Sequence, residues 1–286
     1  MSNLEVQAEL LTGADHSGRP RHPGLVDGAA GLLALFLLVA AIAPQFLAPG
    51  DPLAIHPLAA FQPPNLTHGF GTDESGRDIY TRVVHGTRYS LVIGFAATAI
   101  GLGLGVILGT LAGTLGRVVD FTVNRFLEVL FAFPGLLLAL LFIVIFGPGV
   151  ATATIAVGLS TAPGYARIIR AQLITVRSAA FVEAATVLGR TRWQILLRHI
   201  LPNTLAPLFV LGTLGIGQAI VWAATLSYLG LGAAPPAAEW GAMLSAGRTY
   251  ITSAWWMSFF PGLFIVLTAV TATVLGRSID RRMRHL

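Results

Sequence analysis

The chain has 286 residues, of which 55% are hydrophobic and 11% charged, and its mean hydropathy is +0.75. Soluble globular proteins carry about 25% charged residues. This chain therefore has too few charges to cover a water-facing surface, and we predict an all-α membrane protein. It has no cysteine, which excludes a disulfide framework and thiolate metal sites. Its eighteen basic residues are all arginine, so the chain can form neither a Walker A phosphate loop nor a Schiff base, both of which need lysine.

After a polar tail, residues 1–24, apolar and polar segments alternate. A membrane-crossing helix needs about 20 apolar residues. Six segments meet this length, and they cover residues 25–47, 89–113, 121–146, 150–169, 205–231 and 256–275. Ala41-Ile42-Ala43 resembles a signal-peptidase site, but the long, partly acidic tail and Pro44 favour an uncleaved first span. We expect a transmembrane domain over residues 25–286.

The arginines indicate the orientation of these spans. Fourteen of the eighteen lie in or beside the segments that face the cytoplasm if both termini are inside, which is the positive-inside pattern. This distribution explains the net charge of +5 better than a nucleic-acid partner does, and we predict none. The expected external loops are residues 48–88 and 232–255, and the expected cytoplasmic segments are the loop 170–203 and the tail 276–286.

Glycines recur at every fourth position of the second predicted span. Gly101, Gly105, Gly109 and Gly113 share one helix face, and small residues at this spacing let two helix backbones approach closely inside a membrane. We predict a helix-packing seam at this face.

The loop 170–203 carries the main functional signal. Residues 181–188 are typical of a short helix, which Gly189 can end because glycine tolerates positive φ. A second amphipathic helix is predicted from Trp193 to Ile200, and Pro202 is expected to stop it. The residues alone leave two readings open: a helix–turn–helix that docks on a soluble partner, or a basic helix lying on anionic lipid.

Several motifs now point to one family. Glu183-Ala184-Ala185, Gly189 and Leu201-Pro202 have the spacing of the EAA loop of binding-protein-dependent ABC importer permeases, although His199 occupies the usual isoleucine position. Residues 71–91 (GTDESGRDIYTRVVHGTRYSL), 147–172, 226–232, 235–244 and 259–268 resemble motifs of the DppC/OppC-like dipeptide, oligopeptide and nickel permeases, in the same order.

The resemblance implies a type I ABC importer permease fold in the bacterial inner membrane. Glu183 would contact an ATPase subunit, Ala184 and Ala185 would allow close approach, and Gly189 would set the turn. The remaining loop residues, expected to support this contact, are Arg190, His199 and Pro202. The implied partners are a homologous DppB/OppB-like permease subunit, two ATP-binding subunits that hold ATP and Mg²⁺, an extracytoplasmic substrate-binding protein and membrane lipid. The chain itself is expected to bind no cofactor and to catalyse nothing.

The predicted cargo is a di- or oligopeptide, and nickel or another metal chelate is the alternative. A proton-coupled carrier would need titratable groups within the spans, and these are nearly absent. An intramembrane Ser/His enzyme would need a histidine within a span, whereas His199 lies in the loop 170–203. In the fifth span, Gln218 and Trp222 share a face and could line the path or simply pack. Many relatives carry a glutamate where this chain has Ala223.

The external loop 48–88 holds several acidic and histidine side chains. A metal site is conceivable, because oxygen and imidazole ligands suit divalent ions, but tight ligand spacing is missing. We expect this loop to contact the binding protein or to brace the sister subunit, through Asp73, Gly76, Arg77 and Asp78. Near the third span, Arg125 and Glu128 are three residues apart and predict a local ion pair.

Overall fold

The computed structural model describes residues 24–205 and 208–283, so most of the predicted tail 1–24 lies outside the described residues. The α-helices of the described part are α1 (Leu25–Ile42), α2 (Ile79–Thr114), α3 (Arg117–Phe131), α4 (Gly135–Phe146), α5 (Val150–Arg177), α6 (Ala180–Val187), α7 (Arg192–Ile195), α8 (Leu201–Leu205), α9 (Leu208–Tyr228), α10 (Trp240–Gly247) and α11 (Trp256–Met283). Within the described ranges no strand occurs beyond an isolated bridge between Thr72 and Asp78. The prediction of an all-α protein is confirmed.

Four described helices are long and apolar enough to cross a membrane: α1, α2, α9 and α11. The predicted span 121–146 is not one helix: α3 and α4 meet at 90° across residues 132–134, and the pair could form one bent span or a re-entrant loop. Pro134 contributes to this break, since a proline disfavours helical backbone at the residue before it. Helix α5 is 28 residues long, but its threonines, glycines and arginines make it less apolar than a typical span.

Two helix bounds and one additional helix differ from the segments expected from hydropathy. Helix α2 begins at Ile79, inside the loop expected at 48–88, because Asp78 caps it: Asp78 Oδ2 accepts from the Thr81 N–H at 2.8 Å. Helix α5 continues to Arg177, and the expected loop 232–255 contains α10. Polar and charged side chains can extend a helix past its apolar stretch, so hydropathy alone misplaces such ends.

The glycine face of α2 packs closely on α5. A Cβ added to Gly105 would lie 2.5 Å from Tyr165 Cβ, and one added to Gly109 would lie 2.7 Å from the Ala166 carbonyl oxygen. Real Cβ atoms do not approach so closely, so only glycine permits this backbone separation. The predicted helix-packing seam is confirmed.

The segment before α2 and the short α10 close one end of the bundle. Trp240 is fully buried there and donates from Nε1 to the Val83 carbonyl at 2.9 Å. Arg82 is also buried and donates to the carbonyls of Pro52, Pro236 and Ala237. These bonds tie α2 to both neighbouring segments and leave the other end of the bundle to the residues 180–204.

Candidate functional site

Residues 180–204, which we call the knuckle, form two short helices joined by a tight turn. Helix α6 ends in a Schellman motif, in which Gly189 N–H donates to Thr186 O at 3.0 Å and Arg190 N–H donates to Ala185 O at 3.2 Å. Gly189 has φ +73°, a left-handed conformation that glycine adopts without a Cβ penalty. The turn forms where the sequence predicted it.

The knuckle has a small apolar core of its own. The buried side chains Val182, Ala185, Ile195 and Ile200 pack together with Leu173, which lies near the end of α5. Packed apolar interiors resist compression and transmit strain. The knuckle is therefore joined to α5 as one packed unit.

The second half of the knuckle differs from its prediction. Thr191 and Gln194 form a capping box at the start of α7, with bonds of 3.3 and 3.1 Å. The chain then passes through a π-helical turn, Leu196–Ile200, into α8, which contains Pro202. The prediction that Pro202 stops the helix is wrong, because the helix continues through it. A proline lacks an N–H and clashes with the carbonyl four residues earlier, and the wider π turn directly before it relieves both problems.

The outer face of the knuckle is apolar and open. Val187, Leu188 and Trp193 are 83%, 78% and 69% exposed, and Glu183 and Ala184 lie on the exposed surface of α6. Exposed apolar surface can mark a protein or a membrane interaction site, which are the two readings that the sequence leaves open. Ala185 instead faces the inner core, so Ala184 is the member of the alanine pair that a partner could reach.

The remaining predicted residues of the knuckle have separate surroundings. Arg190 is exposed. His199, in the position where the family pattern has isoleucine, is half-buried, and its Nε2 is buried without a hydrogen-bond partner. Its carbonyl accepts from Asn203 Nδ2 at 2.6 Å. His199 thus occupies the space of an apolar residue within the second helix.

A cavity of about 390 Å³ lies between α3, α4, α5 and α9. Gln218 and Trp222 both line it, together with Ser160, Thr161 and Tyr165 of α5. No charged side chain is present in its lining among the residues that the structure describes. Ligand pockets typically measure about 300–1,000 Å³ and are largely apolar with a few placed polar groups, and this cavity fits that description.

Sequence reasoning did not find the part of this cavity that belongs to the break between α3 and α4. Phe131, Phe133 and Gly135 line it, and a Cβ on Gly135 would overlap the Trp222 indole. The signal was the run Phe133-Pro134-Gly135 within an apolar segment. Proline and glycine side by side mark a turn, even where hydropathy favours one continuous helix.

The four predicted residues of the segment 71–78 form a closed turn. The buried Asp73 accepts from the N–H groups of Ser75 and Arg77 at 2.8 and 2.9 Å, and its carboxylate lies 3.5 Å from Arg77 Nη1. Gly76 has φ +75°, and a Cβ there would overlap the His56 carbonyl. Besides capping α2, Asp78 lies 3.0 Å from His68 Nδ1. Asp73 and Gly76 are buried, so they can affect a partner only by shaping this turn.

The predicted ion pair of Arg125 and Glu128 is present, at 2.6 Å on the exposed surface of α3. Both histidines nearest α2 contact the chain itself: His68 pairs with Asp78, and His85, within α2, has Nε2 3.0 Å from the Ala48 carbonyl. Among the described residues, no group of three or more His, Asp or Glu side chains could hold a metal ion.

Comparisons with known proteins agree on the kind of protein. Residues 105–285 match the family described as binding-protein-dependent transport system inner membrane component. The chain is 41% identical to the probable D,D-dipeptide transport system permease protein DdpC of Escherichia coli (strain K12), over 87% of this chain and 83% of that protein. It is 39% identical to the glutathione transport system permease protein GsiD of Pectobacterium atrosepticum, over 87% and 83% of the two chains.

Solved structures share the fold at lower identity. A chain of the inward-facing MetNI methionine ABC transporter superposes with a TM-score of 0.58 at 20% identity, covering 71% of this chain and 97% of that one. A chain of an amino acid ABC transporter crystallised with histidines gives 0.57 at 18% identity, over 71% and 94%. The helical bundle, the knuckle and these matches together show that the chain belongs to the family of binding-protein-dependent transport system inner membrane components, the permeases of ABC transport systems.

Proposed function

We propose that this chain forms half of the translocation path of an ATP-driven importer of di- and oligopeptides, and that separate ATPase subunits drive it through the knuckle. The observation that carries the proposal is the exposed apolar face around Val187, Leu188 and Trp193 on a unit whose inner side packs on α5. Burial of such a face against a partner lowers the free energy of the complex. Because the knuckle is packed on α5, a partner that moves the knuckle can also move the bundle.

Catalysis of ATP hydrolysis falls to partner chains. The chain has no lysine, so the ATP and Mg²⁺ would be held by two ATP-binding subunits with their own phosphate loops. Glu183 and Ala184 would contact those subunits, and Gly189 would set the turn between the knuckle helices. A second, homologous permease subunit would complete the path, and an extracytoplasmic protein would deliver the solute near the segment 71–78.

The cavity supports a neutral or zwitterionic cargo. Gln218, Ser160 and Thr161 offer hydrogen-bonding groups, while Trp222 and Tyr165 offer aromatic surface. Peptide backbones and termini can be bound by such neutral groups without a fixed countercharge. The peptide permeases among the relatives support the same cargo class.

We further infer six spans in the bacterial inner membrane, with both termini cytoplasmic. The four apolar helices, the bent pair α3–α4 and α5 supply six crossings. Helix α5 suits a crossing because its polar residues pack against α2 and the cavity. The distribution of arginine supports this orientation by the positive-inside rule. In this orientation the knuckle would face the cytoplasm, where the ATPase subunits would reside.

The test is transport by the assembled complex. The chain is co-purified with the products of its neighbouring genes and reconstituted into liposomes with the binding protein. We expect uptake of a radiolabelled dipeptide that requires ATP hydrolysis and is competed by unlabelled dipeptides. A matched arm uses a non-hydrolysable ATP analogue, and uptake should then be absent.

A second competition separates the alternative cargo. Chelated nickel is added in place of the unlabelled dipeptide, and we expect little effect on uptake. Competition by chelated nickel but not by dipeptide would reject the peptide assignment. Uptake by this chain without any ATPase subunit would reject the proposed mechanism as a whole.

A further inference from the structure

Two arginines on α5 hold the two ends of α3. Arg170 donates from Nε and Nη2 to the carboxylate oxygens of Asp120, in the first turn of α3, at 2.5 and 2.7 Å. Arg167 places its guanidinium carbon 4.0 Å from the ring centroid of Phe131, the last residue of α3. A bidentate arginine–carboxylate contact fixes orientation as well as distance. The position of α3 is therefore tied to that of α5.

Helix α3 has few other anchors. Along this helix, which the structure describes in full, Leu127 is the only buried residue. The outer residues Phe121 and Val129 are each 61% exposed. Asn124 donates to Asp120 Oδ1 at 2.6 Å and so helps to hold the carboxylate toward Arg170. The ion pair is thus a specific polar link between α3 and α5.

The same part of α5 is packed into the knuckle. Leu173 lies about one helical turn after Arg170, on the same continuous helix, and is fully buried in the core that includes Val182 and Ile195. A shift of the knuckle must therefore shift the turn of α5 that carries Arg170, because packed apolar cores do not compress.

The far end of α3 belongs to the cavity. Leu130 and Phe131 line it, as does Phe133 in the break before α4. Because α3 and α4 meet at 90° at this break, they are two separate helical segments and not one continuous rod. A continuous series of contacts thus leads from the knuckle through α5 and the ion pair to α3, and from α3 to the cavity wall.

We propose that the Asp120–Arg170 ion pair is a positioning joint that carries movement of the knuckle to the cavity wall. The inference rests on the proposed function, because it assigns this pair a part in coupling ATP hydrolysis to solute passage. Asp120 and Arg170 touch neither ATP nor solute, and they act through α3.

The first experiment measures solute moved per ATP hydrolysed by the reconstituted complex. The variant Asp120→Asn removes the charge while keeping the size of the side chain. We expect it to lower this ratio by about 5- to 150-fold, the span of typical coupling free energies, while ATP hydrolysis continues. The matched control is Glu128→Gln on the same helix, whose partner Arg125 lies on α3 itself, and it should leave the ratio unchanged. The double variant Asp120→Arg with Arg170→Asp should recover part of the ratio.

The second experiment needs no knowledge of the cargo. Because the chain has no cysteine, Phe133→Cys places a single thiol on the cavity wall. Its labelling rate is measured on this chain in the assembled complex, with and without ATP. We expect an ATP-dependent change in the parent and in the Glu128→Gln background, and its loss with Asp120→Asn.

Each outcome bears on one of the two proposals. If Asp120→Asn keeps both the ratio and the ATP-dependent labelling, the joint does not exist. If that variant loses assembly and ATP hydrolysis together, the pair only stabilises the fold and the inference is likewise overturned. If the parent complex shows neither uptake nor ATP-dependent labelling, the proposed function fails instead.

Discussion

Gly189 shows how much a single backbone conformation can matter in the knuckle. Its φ of +73° costs about 1–2 kcal/mol for most residues with a Cβ, although a Cβ at this position would meet no atom within 4 Å. A substitution here therefore acts through backbone strain and not through steric conflict. The effect of a substitution at this position should therefore depend on how well the new residue tolerates the left-handed conformation.

We predict that Gly189→Val impairs ATP-driven uptake and that Gly189→Asn largely preserves it. Valine, being β-branched, disfavours positive φ, whereas asparagine adopts the left-handed conformation readily. A cost of about 1–2 kcal/mol shifts a local equilibrium roughly 5- to 30-fold. Uptake and ATP hydrolysis by the reconstituted complex are the measurements. Equal activity of the valine variant and the parent would show that the turn geometry is dispensable.

Residue patterns predicted parts of this site and missed others for physical reasons. The turn at Gly189 was predictable, because the need for positive φ is local to one residue. The inward position of Ala185 was not, since it depends on packing against Leu173 of another helix. Likewise, Asp73 reads as an available carboxylate in sequence, but its oxygens are engaged by nearby N–H groups and Arg77.

At the scale of elements, the seam between α2 and α5 offers a matched pair of glycines on one helix. A Cβ on Gly105 would lie 2.5 Å from Tyr165 Cβ and 3.1 Å from Ala166 N, whereas one on Gly103 would have no atom within 4 Å. The first position depends on the absence of a side chain, and the second does not.

We predict that Gly105→Ala destabilises the chain by about 1–3 kcal/mol, the usual cost of overpacking a well-packed interior. Gly103→Ala should be neutral or stabilising by up to about 1 kcal/mol, because alanine favours helix more than glycine does. Unfolding of the purified protein in mixed mild and denaturing detergents measures both. Equal stability of the two variants would mean that the close approach of α2 and α5 contributes nothing.

Other elements could be predicted only in outline. Apolar length located α1, α2, α9 and α11, because burial in lipid depends on composition alone. The break between α3 and α4 escaped this criterion, since a proline in a span can either kink a helix gently or end it, and packing decides which. The π turn before Pro202 was missed for the same reason: the sequence shows the proline but not how the preceding turn adapts.

Across the whole molecule, charge is kept out of the cavity. Its lining, among the described residues, has no Asp, Glu, Arg or His, while the ion pairs Asp27–Arg281 and Asp120–Arg170 lie elsewhere. Proton-coupled carriers need titratable groups on the transport path. If the cavity is part of the path, as proposed, its uncharged lining agrees with a function driven by ATP.

We predict that a protonophore leaves ATP-driven uptake by the reconstituted complex unchanged. Collapse of the pH gradient removes no driving force if ATP hydrolysis supplies it. A proton-coupled carrier in matched liposomes serves as the control and should stop under the same treatment. Inhibition of both proteins by the protonophore would mean that this chain uses the proton gradient.

The open apolar face of the knuckle also bears on how the protein is made. Val187, Leu188 and Trp193 would face water until a partner binds. An unassembled copy would therefore expose apolar surface that chaperones, proteases and other unassembled copies can bind. Balanced synthesis with the ATPase subunits would then be a requirement for survival of the chain in the cell. The surface proposed to receive mechanical work would also serve as a quality-control mark for unassembled subunits.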